Sequence, residues 1–162
     1  MIGVPELERI LPHRHPMLLV DRVTRIVPGE TLTAVKAVTV NEPWYAPGPG
    51  PKTSAAPYAY PQVLLIESWC QAAGVLATWD RPNPDVLTGD VMLFGSLSDV
   101  GFGDPVLPGS TVEHHVRLVR SLGDTLVFGG DAQVDGTTVM TVGQVLMAMR
   151  PAMSLRPQPE PR

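Results

Sequence analysis

One mostly apolar run near the middle of the chain, residues 61–76, most constrains what this sequence can fold into. The run is predicted to be a single long helix, which the segment Arg81-Pro-Asn-Pro84 brings to an end. Because so much of its surface is apolar, the rest of the chain has to cover it. The sequence therefore predicts a helix buried within one domain, which a length of 162 residues is sufficient to form.

The rest of the chain is predicted to form strands separated by turn signals. Before the helix, residues 18–27 and 31–40 are rich in Val, Leu and Ile and are joined at Pro28-Gly29. After the helix, the predicted strands are residues 86–102, 111–122, 125–134 and 137–149, the last two joined by the hairpin signal Asp135-Gly136. This order predicts an α+β fold in which one antiparallel sheet of about six strands packs on the helix.

Two segments are expected to lie outside this regular structure. Residues 41–60 are rich in proline, glycine and tyrosine, which predicts an irregular loop. Residues 153–162 have little apolar surface to bury and are predicted to be a disordered tail. We therefore expect one domain over residues 1–152, interrupted by the loop.

Charge and composition argue against several classes of function. A net charge of −4 without a basic cluster argues against binding to nucleic acid or to anionic membrane surfaces. No apolar stretch approaches the roughly 20 residues of a membrane span, and no signal peptide is recognisable, so a cytoplasmic location is expected. The single cysteine, Cys70, cannot form an internal disulfide or a zinc site with its neighbours, and no metal or cofactor is expected.

Glu67 is the only charged residue in the apolar helix. Burying an unpartnered carboxylate is costly, so a raised pKa and a protonated form are expected, as a general acid requires. Gln71 lies one helical turn further on and could orient the carboxyl group. The alternative is that both residues lie on a solvated stripe of an amphipathic helix, and the helix alone does not decide between the two interpretations.

Four short motifs occur in a fixed order along the chain. They are Leu-Pro-His-Arg-His-Pro-Met-Leu-Leu-Val-Asp-Arg-Val at 11–23, Val-Thr-Val-Asn-Glu-Pro at 38–43, the helical segment 64–76, and Pro-Val-Leu-Pro-Gly at 105–109. Together they resemble the signatures of FabZ-type (3R)-hydroxyacyl-acyl-carrier-protein dehydratases across roughly residues 8–150. The resemblance implies a hot-dog fold, in which the sheet wraps a central helix and two subunits pair, with each active site at the dimer interface.

The resemblance also implies a reaction and a set of site residues. Such enzymes remove water from a β-hydroxyacyl thioester carried on a phosphopantetheine arm, using a histidine of one subunit and a glutamate of the other. Glu67 falls on the catalytic glutamate, and the helix start at Gln62 and Val63 would present a backbone N–H to the thioester carbonyl. Phe102 retains an aromatic tunnel wall, and Tyr60 would fill or cover the tunnel. The substrate would arrive on an acyl-carrier protein or as a CoA thioester.

The catalytic histidine of the family is missing from this chain. The family carries Gly-His-Phe-Pro between the Asn-Glu-Pro motif and the glutamate, whereas residues 44–60 contain no histidine. Of the histidines elsewhere, His13 is expected to be structural and His15 to have a packing role. His114 and His115 are adjacent on a predicted strand, so they should point to opposite faces and cannot share a metal ion. No substitute base is evident.

Two further features bear on function. Tyr45, Tyr58 and Tyr60 are poor bases at neutral pH, since an ordinary tyrosine pKa is about 10. Residues 101–105 lack the basic run that the family commonly has beside the tunnel, so docking of an acidic carrier protein to this subunit should be weakened.

Three hypotheses remain open from the sequence. The chain is a dehydratase subunit, acting in fatty-acid or polyketide biosynthesis, that supplies Glu67 to a histidine on a different hot-dog subunit. Alternatively, it is a non-catalytic partner that binds acyl groups or stabilises another subunit. The third possibility is a homodimeric hydro-lyase with an unusual base. The intact glutamate helix beside a degraded histidine loop favours the first.

Overall fold

The computed structural model describes residues 1–45 and 56–155, which form one antiparallel sheet and two α-helices. The helices are α1 (Val4–Ile10) and α2 (Gln62–Ala77), and the strands are β1 (Arg22–Val27), β2 (Thr31–Ala37), β3 (Asp90–Phe102), β4 (Thr111–Leu122), β5 (Thr125–Val134) and β6 (Thr137–Pro151). The six strands are ordered β1-β2-β4-β5-β6-β3, and every neighbouring pair is antiparallel. The predicted α+β architecture is confirmed.

The structure contains a short helix that the sequence analysis missed. Helix α1 has seven residues, with a proline in its first turn, and the Glu6 carboxylate accepts a hydrogen bond from the Gly3 N–H at 3.2 Å. Leu7 and Ile10 are its buried residues. A seven-residue helix covers only about two turns, which is too short to establish a helical period in the sequence.

Two strands begin later than predicted. In the residues just before each strand, a backbone N–H donates a hydrogen bond to a side chain and not to a neighbouring strand. The strand predicted from residue 18 begins at Arg22, and the Leu19 N–H instead donates to the Gln71 side chain at 2.8 Å. The strand predicted from residue 86 begins at Asp90. Before it, Asp85 accepts a hydrogen bond from the Leu87 N–H at 2.9 Å, which forms an Asx turn.

The predicted loop and tail are described only in part. Residues 41–45 form turns, and one turn of 3₁₀ helix, Ala56–Tyr58, precedes α2, while residues 46–55 lie outside the described residues. A second 3₁₀ turn, Ala152–Leu155, extends three residues into the predicted tail, and residues 156–162 are likewise not described. Within residues 1–45 and 56–155, neither helix is long and apolar enough to cross a membrane.

Helix α2 supplies the centre of the core. It contacts β2, β4 and β5, and Trp69 is completely buried between the helix and the sheet. The Trp69 indole N–H lies within 3.2 Å of the carbonyl oxygens of His115 and Asp131, so its polar atom is satisfied on the sheet. Gly130 allows this approach, because a Cβ at that position would lie 3.3 Å from the indole and would collide with the His115 carbonyl.

His114 is a second buried link between α2 and the sheet. Its side chain has no exposed surface, and Nε2 lies 2.8 Å from the Ser68 hydroxyl oxygen. Since the Ser68 hydroxyl donates to the Leu65 carbonyl at 3.1 Å, the imidazole donates to Ser68 from Nε2. On the opposite face, His115 Nδ1 lies 2.8 Å from Asp131 Oδ1. The prediction that the two histidines face opposite ways is confirmed.

Burial of His114 predicts that the protein loses stability in acid. Burial lowers the pKa of His114 to about 3, whereas an unfolded histidine titrates at about 6.5. Below pH 6.5 the unfolded chain therefore binds a proton that the folded chain refuses, so stability falls progressively as the pH drops towards 3. We expect urea unfolding between pH 7 and 4 to show a shallower loss of stability in His114→Gln than in the wild type.

The matched control for this measurement is His115→Gln, on the same strand but on the partly exposed face. It should retain most of the contribution of His114 to the pH dependence, because burial is the largest cause of the low pKa of His114 and the charge of His115 a smaller one. An identical pH slope in His114→Gln and the wild type would contradict the prediction.

The free edge of β3 predicts self-association or association with a related chain. This strand has 13 residues and pairs with β6 on one side, while no strand of the described residues pairs with its other side. Long unpaired edges invite pairing, and Phe94 on this strand is 56% exposed. We expect a dimer in sedimentation velocity, weakened by Phe94→Lys but not by Val119→Lys, which changes an exposed residue of β4.

A dilute preparation of the pure chain that remained a folded monomer would contradict this prediction.

Candidate active site

Glu67 lines an apolar pocket on one side of α2. The pocket has a volume of about 380 Å³ and lies between α2, the segment that follows α1, and strands β3 and β6. Its apolar walls include Leu11, Met92, Phe94 and Met147. The Glu67 side chain is 36% exposed, so it is half-buried at the edge of this pocket and does not lie on a fully solvated stripe. The arrangement can hold an acyl chain beside a carboxylate.

Gln71 holds the Glu67 side chain in place. Its Nε2 donates to Glu67 Oε1 at 2.9 Å and to the Met17 carbonyl at 2.7 Å. Its Oε1 accepts the Leu19 N–H at 2.8 Å, and the side chain is buried. Gln71 thus connects the glutamate to the N-terminal segment. Gln71 is therefore placed to orient the Glu67 carboxyl group, as predicted from the helical spacing. A catalytic role for the two residues is a proposal.

His13 also contacts Glu67, which the sequence analysis did not anticipate. His13 Nε2 lies 3.4 Å from Glu67 Oε1, a longer contact than that of Gln71. The backbone around His13 is fixed by the Arg14 guanidinium, which donates to the carbonyls of Leu11 and His13 at 2.8 and 2.7 Å and to that of Glu8 at 2.9 Å. Residues 13 and 67 are far apart in the chain, so no sequence spacing could signal this contact.

The expected rise in the pKa of Glu67 is wrong for this subunit. The pKa is lowered from its ordinary value, chiefly by the hydrogen-bonding contact with His13 and also by Gln71, although burial acts in the opposite direction. Burial alone would raise the pKa, but the contacts of His13 and Gln71 with the same carboxylate oxygen outweigh burial. In the isolated subunit, Glu67 is therefore an ionised proton acceptor at neutral pH.

Three of the predicted site residues lie in a different pocket. Tyr60, Gln62 and Phe102 line a space of about 270 Å³ at the start of α2, together with residues 103–106. Only Val63, which is 70% exposed, shares the pocket of Glu67 and Gln71. The predicted site is thus divided between the flank and the N-terminus of one helix.

The N-terminus of α2 leaves backbone donors available. Pro61 precedes the helix, and its carbonyl accepts the N–H groups of Leu64 and Leu65 at 2.9 and 3.0 Å. Helix geometry leaves the N–H groups of the first positions, Gln62 and Val63, without intrahelical acceptors. The arrangement is compatible with an amide donor for a substrate carbonyl, as the resemblance implied.

Tyr60 is buried near this helix start and cannot act as a base. Its backbone N–H donates to the Val106 carbonyl at 2.7 Å, and its ring meets that of Trp44 edge-on at 5.9 Å between centroids. Burial raises the pKa of its hydroxyl above the ordinary tyrosine value, with a further contribution from Glu42. The phenol therefore remains neutral at physiological pH. This agrees with the expectation that Tyr60 fills space.

A buried ion pair anchors the beginning of the loop 41–60. Lys36 Nζ lies 3.0 Å from Glu42 Oε1, and both side chains are less than 10% exposed. The same carboxylate oxygen accepts the Thr39 N–H at 3.1 Å, and Lys36 donates to the Ala37 carbonyl at 2.8 Å. Removing either partner would leave an unpaired buried charge, so the pair fixes where the loop leaves β2. Residues 46–55, which are part of the interval 44–60 where the family carries its histidine, are not described.

The described residues provide no metal cluster. Residues 1–45 and 56–155 contain no group of three or more His, Cys, Asp or Glu side chains placed to hold an ion. Among the described residues, Glu67 can transfer a proton and the helix start can donate hydrogen bonds.

Comparisons with known proteins agree with this geometry. Residues 11–143 match the family model described as a FabA-like domain. The chain is 37% identical over 153 residues to the 3-hydroxyacyl-[acyl-carrier-protein] dehydratase FabZ of Colwellia psychrerythraea, covering 93% of this chain and 95% of the relative. It is 38% identical over 136 residues to the FabZ of Oleidesulfovibrio alaskensis, covering 84% of each protein.

The fold is also similar to that of solved structures. The dehydratase heterocomplex ApeI:P from Xenorhabdus doucetiae contains a chain that superposes with a TM-score of 0.70 at 18% identity, covering 92% of this chain and 93% of that one. A hot-dog-like protein from Thermanaerovibrio acidaminovorans superposes with a TM-score of 0.60 at 19% identity, covering 79% and 86%. The predicted hot-dog fold is confirmed, and the chain belongs to the FabA-like family together with the FabZ-type dehydratases that it matches over most of its length.

Proposed function

We propose that this chain is a subunit of a (3R)-hydroxyacyl-acyl-carrier-protein dehydratase in fatty-acid biosynthesis, with Glu67 as its catalytic carboxyl group. The observation that carries the proposal is the placement of Glu67, held by Gln71, at the edge of an apolar pocket. The named activity of relatives at 37% identity supports the same reaction. The substrate would be an acyl thioester on a phosphopantetheine arm, no cofactor of the enzyme's own is required, and the cytoplasmic location expected from the sequence belongs to this proposal.

The reaction needs a base as well as Glu67. Removing the α-proton of a thioester requires a group that is basic near neutral pH, while a donor polarises the carbonyl and an acid protonates the departing hydroxyl. The backbone N–H groups at Gln62 and Val63 suit the second task, and Glu67 suits the third. Because burial opposes ionisation of Glu67, closure of the pocket by another subunit would favour its protonated form.

We infer that the base comes from a histidine of a second hot-dog subunit. Residues 44–60 contain no histidine, and His114 is buried with its Nε2 engaged by Ser68. The free edge of β3 offers a place for the second subunit. The structure from Xenorhabdus doucetiae is named a dehydratase heterocomplex, which supports pairing of different dehydratase chains on this fold. Polyketide biosynthesis is an alternative pathway for the same chemistry.

The partner subunit would also supply the surface for the carrier protein. Residues 101–105 of this chain contain one acidic residue and no basic one. Acyl-carrier proteins are acidic, so a basic docking surface would have to come from the other subunit.

Glu67→Gln tests the catalytic assignment. If Glu67 exchanges a proton with the substrate, the variant should reduce dehydration by the assembled enzyme by about a hundredfold or more, because an amide cannot transfer that proton. The measurement is hydration of a crotonyl thioester, with circular dichroism to confirm folding. Glu30→Gln, in the exposed turn between β1 and β2, is the matched control and should keep full activity.

Equal turnover by Glu67→Gln and the wild type would exclude a catalytic Glu67. A large loss of thermal stability in the variant would favour a structural carboxylate.

Mixing experiments test the shared site. Since residues 44–60 offer no histidine, the purified chain should show little or no turnover of a crotonyl or 3-hydroxybutyryl thioester. Activity should appear on mixing with a hot-dog subunit that carries a Gly-His-Phe-Pro motif, and it should require Glu67 of this chain and the histidine of the other.

Robust turnover by the chain alone would overturn the shared site and favour a homodimeric hydro-lyase. If no partner restores turnover but the chain still binds or stabilises another subunit, the non-catalytic interpretation holds.

A further inference from the structure

We propose that His13 is a positioning residue for Glu67, which holds carboxylate oxygen Oε1 so that Oε2 is the oxygen that exchanges a proton with the substrate. The part of this inference that concerns proton exchange with a substrate rests on the proposed dehydratase function. The contact itself is independent of that function.

Two side chains contact the same oxygen of Glu67, Gln71 through a hydrogen bond and His13 through a longer polar contact. Gln71 Nε2 lies 2.9 Å and His13 Nε2 lies 3.4 Å from Oε1, and no described residue donates a hydrogen bond to Oε2. A carboxylate held through one oxygen leaves the lone pairs of the other for chemistry. The apolar pocket beside this group could receive an acyl chain. Proton transfer therefore falls to Oε2.

The tautomer of His13 follows from its burial. Nδ1 is buried and has no hydrogen-bond partner among the described residues, whereas Nε2 faces Glu67. An N–H without an acceptor and a lone pair without a donor are both costly when buried, but only a proton on Nε2 also satisfies the contact with Glu67. His13 thus donates from Nε2, and its free lone pair on Nδ1 is closed off from the pocket.

This geometry excludes His13 as the missing base. A general base must bring a free lone pair within hydrogen-bonding distance of the proton that it removes. The nitrogen of His13 that faces the pocket carries the proton, and the other is inaccessible. His13 can therefore influence the reaction only through Glu67, in the way that residues supporting a catalytic group usually do.

Two anchors keep His13 in this position. On one side, the Arg14 guanidinium donates to the carbonyl of His13 itself and to those of Leu11 and Glu8. On the other side, Gln71 donates to the carbonyl of Met17. The imidazole is presented to Glu67 from a segment that is fixed before and after it, which reduces the entropy lost when the contact forms.

Few groups in the pocket can influence the charge of Glu67. Among the described residues that line it, the titratable groups are His13, Glu67 and Cys70. Burial, with a contribution from Glu67, raises the pKa of the Cys70 thiol to about 12, so Cys70 is neutral at physiological pH. Strands β3 and β6 contribute Met92, Phe94 and Met147, which carry no charge. The ionisation of Glu67 therefore depends mainly on His13, on Gln71 and on burial.

A titration of Glu67 in the full chain tests the proposal without relying on activity. The chain is labelled with ¹³C at the glutamate side-chain carboxyl carbon, and the Glu67 signal is identified by its loss in Glu67→Gln. In His13→Leu, loss of the donor should raise the pKa of Glu67, because burial then acts against only one hydrogen bond. His13→Gln, which can keep an N–H donor, should restore part of the wild-type value.

The matched control is His15→Leu, two residues along the same segment, where the side chain is exposed and lines a different space from Glu67. It should leave the Glu67 titration unchanged. If His13→Leu does not fold, His13→Met provides the same comparison, since its flexible side chain adapts more readily to the site. An unchanged Glu67 titration in the folded apolar variant would overturn the proposal and leave His13 a structural residue.

The pH dependence of the assembled enzyme gives a second readout. The limb of the kcat/KM profile that depends on Glu67 should move to higher pH in His13→Leu and partly return in His13→Gln. A profile that falls uniformly without moving would contradict the positioning role. If no assembly shows dehydratase activity, the proposed function fails, while the titration still decides whether His13 controls Glu67.

Discussion

The buried amide of Gln71 is the interaction on which the candidate site depends. Its three hydrogen bonds join helix α2 to the backbone of Met17 and Leu19 and to the carboxylate of Glu67. Leaving this buried amide without partners would cost several kcal/mol. The three hydrogen bonds therefore support one another as a network. The same residue thus closes the fold around the helix and orients the group that would perform the chemistry.

The ionisation of Glu67 results from opposing effects. Burial in an apolar pocket raises its pKa, and the donors His13 and Gln71 lower it. In the subunit alone the donors prevail. Because a neighbouring chain at the β3 edge would exclude more water from the pocket, the balance can change when the subunits assemble. A carboxyl group in this situation can be adjusted to give or to accept a proton by small changes around it.

The interval in which the resemblance places the family's histidine is one loop, residues 44–60, which contains no histidine. The ion pair of Lys36 and Glu42 and the packing of Trp44 on Tyr60 keep both ends of that loop anchored to the domain. The helix with Glu67 is supported separately, by Gln71 and by the Trp69 contacts with β4 and β5. The loop can therefore change without disturbing Glu67, which is what the proposed division of the site between two different chains requires.

The sequence by itself determined the order of the main elements and the α+β class. It also singled out Glu67 as the one charged residue of the apolar helix. Apolar periodicity and turn residues are local signals, so they predicted α2 and the long strands but not the seven residues of α1. The hydrogen bonds to the side chains of Gln71 and Asp85, which precede the late strand starts, could not be predicted from these local signals either.

Only the tertiary structure decided the chemistry around Glu67. His13 and Glu67 are separated by more than fifty positions, yet folding places their side chains 3.4 Å apart and reverses the pKa shift that burial alone would produce. The same packing assigned Tyr60, Gln62 and Phe102 to a second pocket. Burial can be read from the composition of a segment, whereas the partners that offset it are fixed only when distant parts of the chain meet.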